Sequence, residues 1–484
     1  MKYKPVSNYI GEELIKGSNG SLDVLSPIDG SIISQVFLSS GEDVEKAVQT
    51  AREALPSWAA MPIKERVQIF FKYKQLLEKY MDELTNLIVE ENGKTYAEAK
   101  AEVLKSAELT EFACSMPQLI SGELLQVSKG VECREERYPV GVVASITPFN
   151  FPNMVPNWTI PNALVLGNTM VMKPSELVPL STNRLAEILK EAGLPKGVFN
   201  VVHGSREAVE AICDSPGIDA VSFVGSTKVA KIVYRRGTSN LKRVLALGGA
   251  KNHLVVLPDA NVKMTASNVA VSMTGCAGQR CMAASALVGV GPIDHIIEEL
   301  CNEARKIIPG KNLGAIISAK AKERIENYIT EAENEGAKVL VDGRNYVVEG
   351  KENGFYVGPT IIDYVKPEMR IAKEEVFGPV LSIMRVDNID QAIEIENSSN
   401  YGNAAAVFTQ SGGAANYVAE RASAGMIGVN IGVPVPREPF SFGGWNESRF
   451  GVGDITGKSS IEFWTKIKKI TTKWNPESQV NWMS

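Results

Sequence analysis

The residues best suited to chemistry in this sequence gather around one cysteine. In Gly278-Gln279-Arg280-Cys281-Met282-Ala283 a thiol directly follows an arginine, in a glycine-bearing loop. A thiol attacks as its thiolate, and a neighbouring cation lowers its pKa. On this reading Arg280 activates Cys281. The same guanidinium could instead hold an anionic substrate beside the sulfur. The competing reading is a small buried cysteine leading into a strand, which is how most free cysteines behave.

Three further segments each follow a predicted strand. In Pro148-Phe149-Asn150-Phe151-Pro152, the Asn150 amide could donate to the oxyanion formed when a thiolate attacks a carbonyl. An asparagine turn between prolines is the alternative. In Lys173-Pro174-Ser175-Glu176, the lysine and glutamate could bind ribose hydroxyls, and a carboxylate there favours NAD over a 2′-phosphorylated cofactor. The alternative is a helix entry with proline in its first turn. Phe223-Val224-Gly225-Ser226-Thr227 ends a strand and opens a helix, so backbone N–H groups and the Ser226 hydroxyl could hold a phosphate. A plain serine N-cap is equally compatible. No Gly-x-Gly-x-x-Gly fingerprint occurs, so a dinucleotide site here departs from the standard Rossmann type.

Positioning these loops requires a particular order of elements. After a turn-rich start at Ser26-Pro27-Ile28-Asp29-Gly30, a helix is expected from near Ser40, with Val44, Val48, Ala51 and Leu55 at helical spacing. More helix follows over 63–115, broken near Asn92-Gly93. From residue 140 short apolar runs alternate with helices: strands at 140–147, 169–173, 199–203, 220–224 and 243–247, helices near 153–166, 181–192, 205–213 and 226–236. Such alternation implies a doubly wound parallel sheet, whose ligands sit at the strands' carboxyl ends. A second α/β unit is expected over 248–435, with strands at 284–290 and 377–385. The segments 120–137 and 461–473 fit neither sheet and read as strands pairing outside the main body.

Bulk properties narrow the class. The 484 residues exceed what one growing core accommodates, so two or three domains are expected. A net charge of −5 gives no electrostatic case for nucleic acid. No apolar run is long enough for a membrane span, and the first twenty residues are too polar for a signal peptide. Six scattered cysteines and three histidines argue against a disulfide framework or a metal site, and for a reducing cytoplasm.

Taken in order, these motifs resemble the aldehyde dehydrogenase superfamily. Besides the four segments above, Glu375-Val376-Phe377-Gly378-Pro379 and Phe442-Gly443-Gly444 resemble later motifs of that family. The resemblance implies an aldehyde dehydrogenase-like fold of two doubly wound α/β domains plus a small β oligomerisation extension. Residues 1–117 and 139–247, with a returning segment near 436–460, would bind NAD, and 248–435 would carry the nucleophile. Residues 118–138 and 461–484 would supply oligomerisation strands, giving a homodimer or homotetramer. It also implies roles: Cys281 as nucleophile; Asn150 in the oxyanion hole with a backbone N–H; Lys173 and Glu176 at the adenosine ribose; Ser226 at the pyrophosphate; Glu375 at the nicotinamide ribose. Phe149 would line the cofactor site and Phe151 the substrate site.

One departure bears on the reaction. Hydrolytic members carry a glutamate before Leu-Gly-Gly as general base, and here that position is Ala246, in Leu245-Ala246-Leu247-Gly248-Gly249. Alanine accepts no proton, so water is a poor second nucleophile and a thiol such as coenzyme A fits better. The runs Ala250-Lys251-Asn252-His253, Leu257-Pro258-Asp259-Ala260-Asn261 and Gly278–Ala283 resemble the CoA-acylating methylmalonate-semialdehyde dehydrogenases. That resemblance implies NAD-dependent oxidation of methylmalonate or malonate semialdehyde to propionyl-CoA or acetyl-CoA and CO₂. Arg280 would pair with the substrate carboxylate, and Lys105 stands where that group has a second substrate arginine, in the helix after Gly93-Lys94-Thr95. The loop Trp445–Arg449 departs from the group's pattern and is expected near the substrate tunnel; Ala230 replaces a common glycine in the phosphate helix. A hydrolytic enzyme releasing free acid, for example from succinate semialdehyde, and a non-catalytic scaffold are the rival readings.

Overall fold

The computed structural model describes residues 1–474, so the end of the 461–484 segment lies outside the described residues. Two sheets dominate. In the first, the strands lie in the spatial order Glu13–Ile15, Asn8–Ile10, Phe199–Val201, Thr169–Lys173, Val142–Ile146, Ala220–Val224, Arg243–Leu247, Arg449–Phe450. The five central strands pair in parallel, and the chain runs outward from Val142–Ile146 first one way and then the other. Those five lie at or within a residue or two of the predicted runs; they are almost wholly buried, as expected of a sheet covered by helices on both faces. The reversal of strand order falls between Val142–Ile146 and Ala220–Val224, so a crevice opens at their carboxyl ends, where Thr147–Asn150 and Gly225–Ser226 emerge.

The second sheet orders its strands Lys338–Val341, Thr360–Asp363, Val380–Val386, Ala284–Val290, Asn252–Val256, Ala404–Phe408, Met426–Val429. Cys281 precedes the strand Ala284–Val290 and so lies at this sheet's amino-terminal edge. The nucleophile loop of one sheet therefore meets the carboxyl-end loops of the other.

Several elements differ from expectation. The turn-rich start is the tip of a hairpin, Ser21–Leu25 with Ile32–Phe37, and two short strands at 8–10 and 13–15 extend the first sheet. These strands are too short for a period-2 pattern to show. Residues 461–464 are helical rather than extended, because Phe463 and Trp464 bury their rings edge to face, 4.6 Å apart, in the first unit's core. The strand begins only at Thr465 and pairs along its length with Val131–Pro139, which also pairs with Leu124–Ser128. The 445–449 loop does not border the substrate end; Ser448 bonds the backbone of Gly248 and Gly249, bracing the end of the Arg243–Leu247 strand.

The helix Tyr96–Cys114 deserves detail for its contacts. The preceding helix stops at Gly93 in the left-handed region (φ 83°), and Thr95 then opens a capping box with Glu98. Glu102 is buried, ion-paired with the equally buried Lys94, and accepts the N–H groups of Asn153 (2.8 Å) and Met154 (3.0 Å) at the start of the helix Met154–Val165. Asn92 donates to the Phe149 carbonyl at 2.8 Å. Together these contacts hold the loop that presents Asn150. Lys94→Met leaves the Glu102 charge buried without its partner, so urea denaturation followed by tryptophan fluorescence should show a loss of about 3–5 kcal/mol.

Candidate active site

A cavity of about 1330 Å³ opens between the two units. Cys281, Asn150, Arg280, Lys105, Phe149, Phe151, Lys173, Glu176, Ser226 and Glu375 all line it. At one end Ser226 begins the helix Thr227–Ser239 without its hydroxyl capping that helix, which leaves the hydroxyl and the helix N-terminus for a ligand. The buried Lys173 ammonium bonds the Pro174 carbonyl (2.9 Å) and Glu176 (3.3 Å), and burial lowers its pKa.

The nucleophile loop is held by distant groups. Cys276 and Ala277 sit in the left-handed region (φ 54° and 53°), and Glu98 accepts the Cys276 N–H at 2.6 Å. Gly278 packs so closely on the 375–379 loop that a Cβ there would stand 2.1 Å from the Gly378 carbonyl. Gln279 bonds the backbone of Ala315 and Ile317. The Cys281 carbonyl accepts N–H groups from Asn252 (2.7 Å) and Asn403 (2.9 Å). Across the cavity, Phe149 meets Phe377 edge to face at 5.8 Å, and Phe151 lies under the Lys94 ammonium. Among the described residues the Asn150 side chain has no protein hydrogen-bond partner, so its amide is available.

Two electrostatic findings revise the expectations. Burial first, then the Glu375 charge, push the Cys281 thiol up to about 12; Arg280 and the N–H groups of Cys281 and Met282 oppose this only in part. Arg280 therefore does not make a thiolate of Cys281 in the ligand-free cleft. Its guanidinium folds over Gly275, where a Cβ would stand 2.4 Å from Nη2, and Nη2 donates to the carbonyls of Val271 (3.0 Å) and Ser272 (3.2 Å). Its Nε is buried without a partner, and among the described residues it forms no ion pair. A buried unpaired donor is costly.

Glu375 accepts the Ala250 N–H at 3.1 Å, and burial raises its pKa to about 7. Ala246 is fully buried and does not line the cavity. The acids on the wall are Glu108, Glu176, Glu210, Glu375 and Glu438. Neither His203 nor His253 reaches it; both are buried, with pKa values held down to about 3. Among the described residues no cluster of metal-ligating side chains occurs, and no helix is long and apolar enough to cross a membrane. Asn252, Asn403 and Glu438 escaped the sequence reading as site residues; a buried asparagine far along the chain carries no local pattern pointing to a cysteine.

The chain belongs to the aldehyde dehydrogenase family, whose model matches residues 14–470. It is 46% identical over 480 residues to malonate-semialdehyde dehydrogenase 2 of Oceanobacillus iheyensis, covering 97% of this chain and 99% of that one. To malonate-semialdehyde dehydrogenase 1 of Geobacillus thermodenitrificans it is 43% identical, with 97% and 99% covered. The crystal structure of methylmalonate-semialdehyde dehydrogenase from Oceanimonas doudoroffii superposes with a TM-score of 0.96 at 41% identity, covering 98% of this chain and 99% of that one. The chain is thus an oxidoreductase of this family, and its fold is the family's fold.

The raised thiol has a measurable consequence. Without ligand, iodoacetamide should alkylate Cys281 at a rate rising about tenfold per pH unit from roughly pH 7 to 10, with no plateau. Mass-spectrometric mapping of the labelled peptide checks this; a plateau below about pH 9 would show a thiol of ordinary or lowered pKa.

Proposed function

We propose that this chain is an NAD-dependent, CoA-acylating dehydrogenase of a short carboxylate-bearing semialdehyde, with malonate or methylmalonate semialdehyde as substrate. One observation carries the reading: Arg280, which forms no ion pair among the described residues, lines the same cavity as Cys281, while the strand-end position before Leu247-Gly248-Gly249 holds Ala246, which can accept no proton. The substrate carboxylate seats on Arg280, which sets the aldehyde carbon against Cys281. The sulfur adds to the carbonyl, and Asn150 with the Cys281 N–H donates to the oxyanion. NAD, when bound, accepts the hydride that leaves this adduct. Lys173 and Glu176 hold its adenosine ribose, Ser226 its pyrophosphate and Glu375 its nicotinamide ribose, with Phe149 and Phe151 closing the walls at cofactor and substrate.

The resulting thioester on Cys281 needs a second nucleophile. Hydrolysis calls for a carboxylate to take a proton from water, and Ala246 offers none. The thiol of coenzyme A attacks the acyl carbon instead; the acyl–Cys281 bond breaks, and the thiol proton ends on the departing Cys281 sulfur. A carboxylate β to a thioester loses CO₂ readily, since the thioester carbonyl takes up the electrons, and propionyl-CoA or acetyl-CoA results. The relatives' names support this substrate class, and a related Sinorhizobium meliloti structure, 39% identical with a TM-score of 0.96, was solved with NAD. The reading places the enzyme in the cytoplasm, where six unpaired thiols persist. It makes it a homodimer or homotetramer joined through the 124–139 hairpin, whose edge exposes Leu124 and Leu125, and the 465–473 strand.

The test follows NADH from enzyme, NAD and malonate semialdehyde. About one equivalent per site is expected without coenzyme A and sustained turnover on its addition; steady turnover without it overturns the CoA-acylating reading. Arg280→Leu should raise the semialdehyde KM about 10- to 100-fold while an uncharged aldehyde is oxidised as before.

A further inference from the structure

The Cys281 carbonyl carries two side-chain donors. Asn252 Nδ2 lies 2.7 Å from it and Asn403 Nδ2 2.9 Å, so both lone pairs of one backbone oxygen are taken by buried amides. The two asparagines stand where the neighbouring parallel strands Asn252–Val256 and Ala404–Phe408 begin, and Asn252 Oδ1 joins those strands by accepting the Ala404 N–H at 3.1 Å. Neither side chain lines the cavity. The oxygen they hold belongs to a turn. The Ala283 N–H donates to the Arg280 carbonyl at 3.0 Å, which leaves Cys281–Met282 as the central peptide. A central turn peptide can face either way with that closing bond intact, as the type I and type II geometries show. Its two ends are rigidly linked: the peptide is trans, so its C=O and N–H point in opposite directions. Holding the Cys281 oxygen therefore aims the Met282 N–H, one of the two backbone donors that favour negative charge on the Cys281 sulfur. Hydrogen bonds accepted by a carbonyl also polarise its peptide and strengthen the N–H as a donor.

We propose that Asn252 and Asn403 are positioning residues for the nucleophile. They hold the Cys281–Met282 peptide with its N–H toward the sulfur, and so stabilise the negative charge the sulfur carries as it attacks. This rests on Cys281 being the nucleophile of the reaction above. The rival role is a purely structural tie. Asn252 serves partly as one, since its amide also bonds the Ala283 carbonyl at 2.9 Å. Asn403 is the cleaner probe: among the described residues its amide meets the Cys281 carbonyl and, at 3.1 Å, Met282 Sδ.

The experiment compares wild type with Asn403→Leu, which is similar in shape and lacks the N–H. Iodoacetamide labelling of Cys281 from roughly pH 7 to 10, mapped by mass spectrometry, is the main readout because it needs neither substrate nor cofactor. In Asn403→Leu the labelling rate should fall about tenfold at every pH, and NADH formation in a single turnover should slow with it. NAD affinity should stay within about twofold of wild type. Arg280 and Glu375, the two charges acting on the sulfur, are unaltered in this variant. A loop that had merely loosened would expose the sulfur and quicken labelling, so an unchanged or faster rate overturns the proposal. Asn403→Ala repeats the comparison should the leucine variant not fold. Failure of both to fold would mark Asn403 as a structural tie and overturn the proposal as well. Wild type that forms no NADH from any semialdehyde would overturn the substrate reading, and the labelling ratio still reports on Asn403.

Discussion

One face of a single helix sets the geometry on which the site depends. Along Tyr96–Cys114, Glu98 accepts an N–H from the nucleophile loop, Glu102 accepts two from the loop and helix that follow Asn150, and Lys105 pairs with Glu438 on the 431–442 loop. Spacings of four and three residues put the three on one side of the helix. The helix thus ties together the Cys281 loop, the segment that follows Asn150 and the 431–442 loop. The middle contact is the stiffest. The Glu102 carboxylate is fully buried, partnered by two backbone N–H groups and by Lys94, whose ammonium also lies on the aromatic face of Phe151. A buried carboxylate tolerates little movement of its partners, because each lost contact leaves charge in a low-dielectric interior.

Polarity within the cleft then follows from what that scaffold leaves free. Backbone donors at Cys281 and Met282 favour negative charge on the sulfur, while burial and Glu375 disfavour a standing thiolate. The balance thus favours the protonated thiol over the thiolate. Ala246 completes the arrangement by omission. A methyl group packed in the core gives that strand end no side chain able to take a proton from water.

Much of this could be read from the sequence, and the limits have physical causes. The five parallel strands were legible because a strand buried on both faces is a continuous apolar run bounded by turns, as in Val142–Ile146 and Ala220–Val224. Asn150, Lys173, Glu176 and Ser226 stood out as candidates because their motifs follow the carboxyl ends of strands, where ligands gather in such sheets. Contacts across the fold were not. Asn403 lies 122 residues from the Cys281 carbonyl it bonds, and Glu438 lies 333 residues from Lys105. The influence of Arg280 on the thiol was misjudged for a related reason. Adjacency in sequence puts the charge near, but where the guanidinium points depends on Gly275 and on two helix carbonyls, and how far burial outweighs it depends on the whole cleft. The oligomerisation segments showed only as strands with no home in either sheet.

In the proposed reaction an acyl group waits on Cys281 for a thiol because Ala246 cannot activate water. Intact-protein mass spectrometry after mixing enzyme, NAD and malonate semialdehyde without coenzyme A would reveal it. A thioester adduct on Cys281, as the malonyl or decarboxylated acetyl group, should persist over many turnover times and vanish when coenzyme A is added. An unmodified Cys281 alongside accumulating free acid would rule the proposed reaction out.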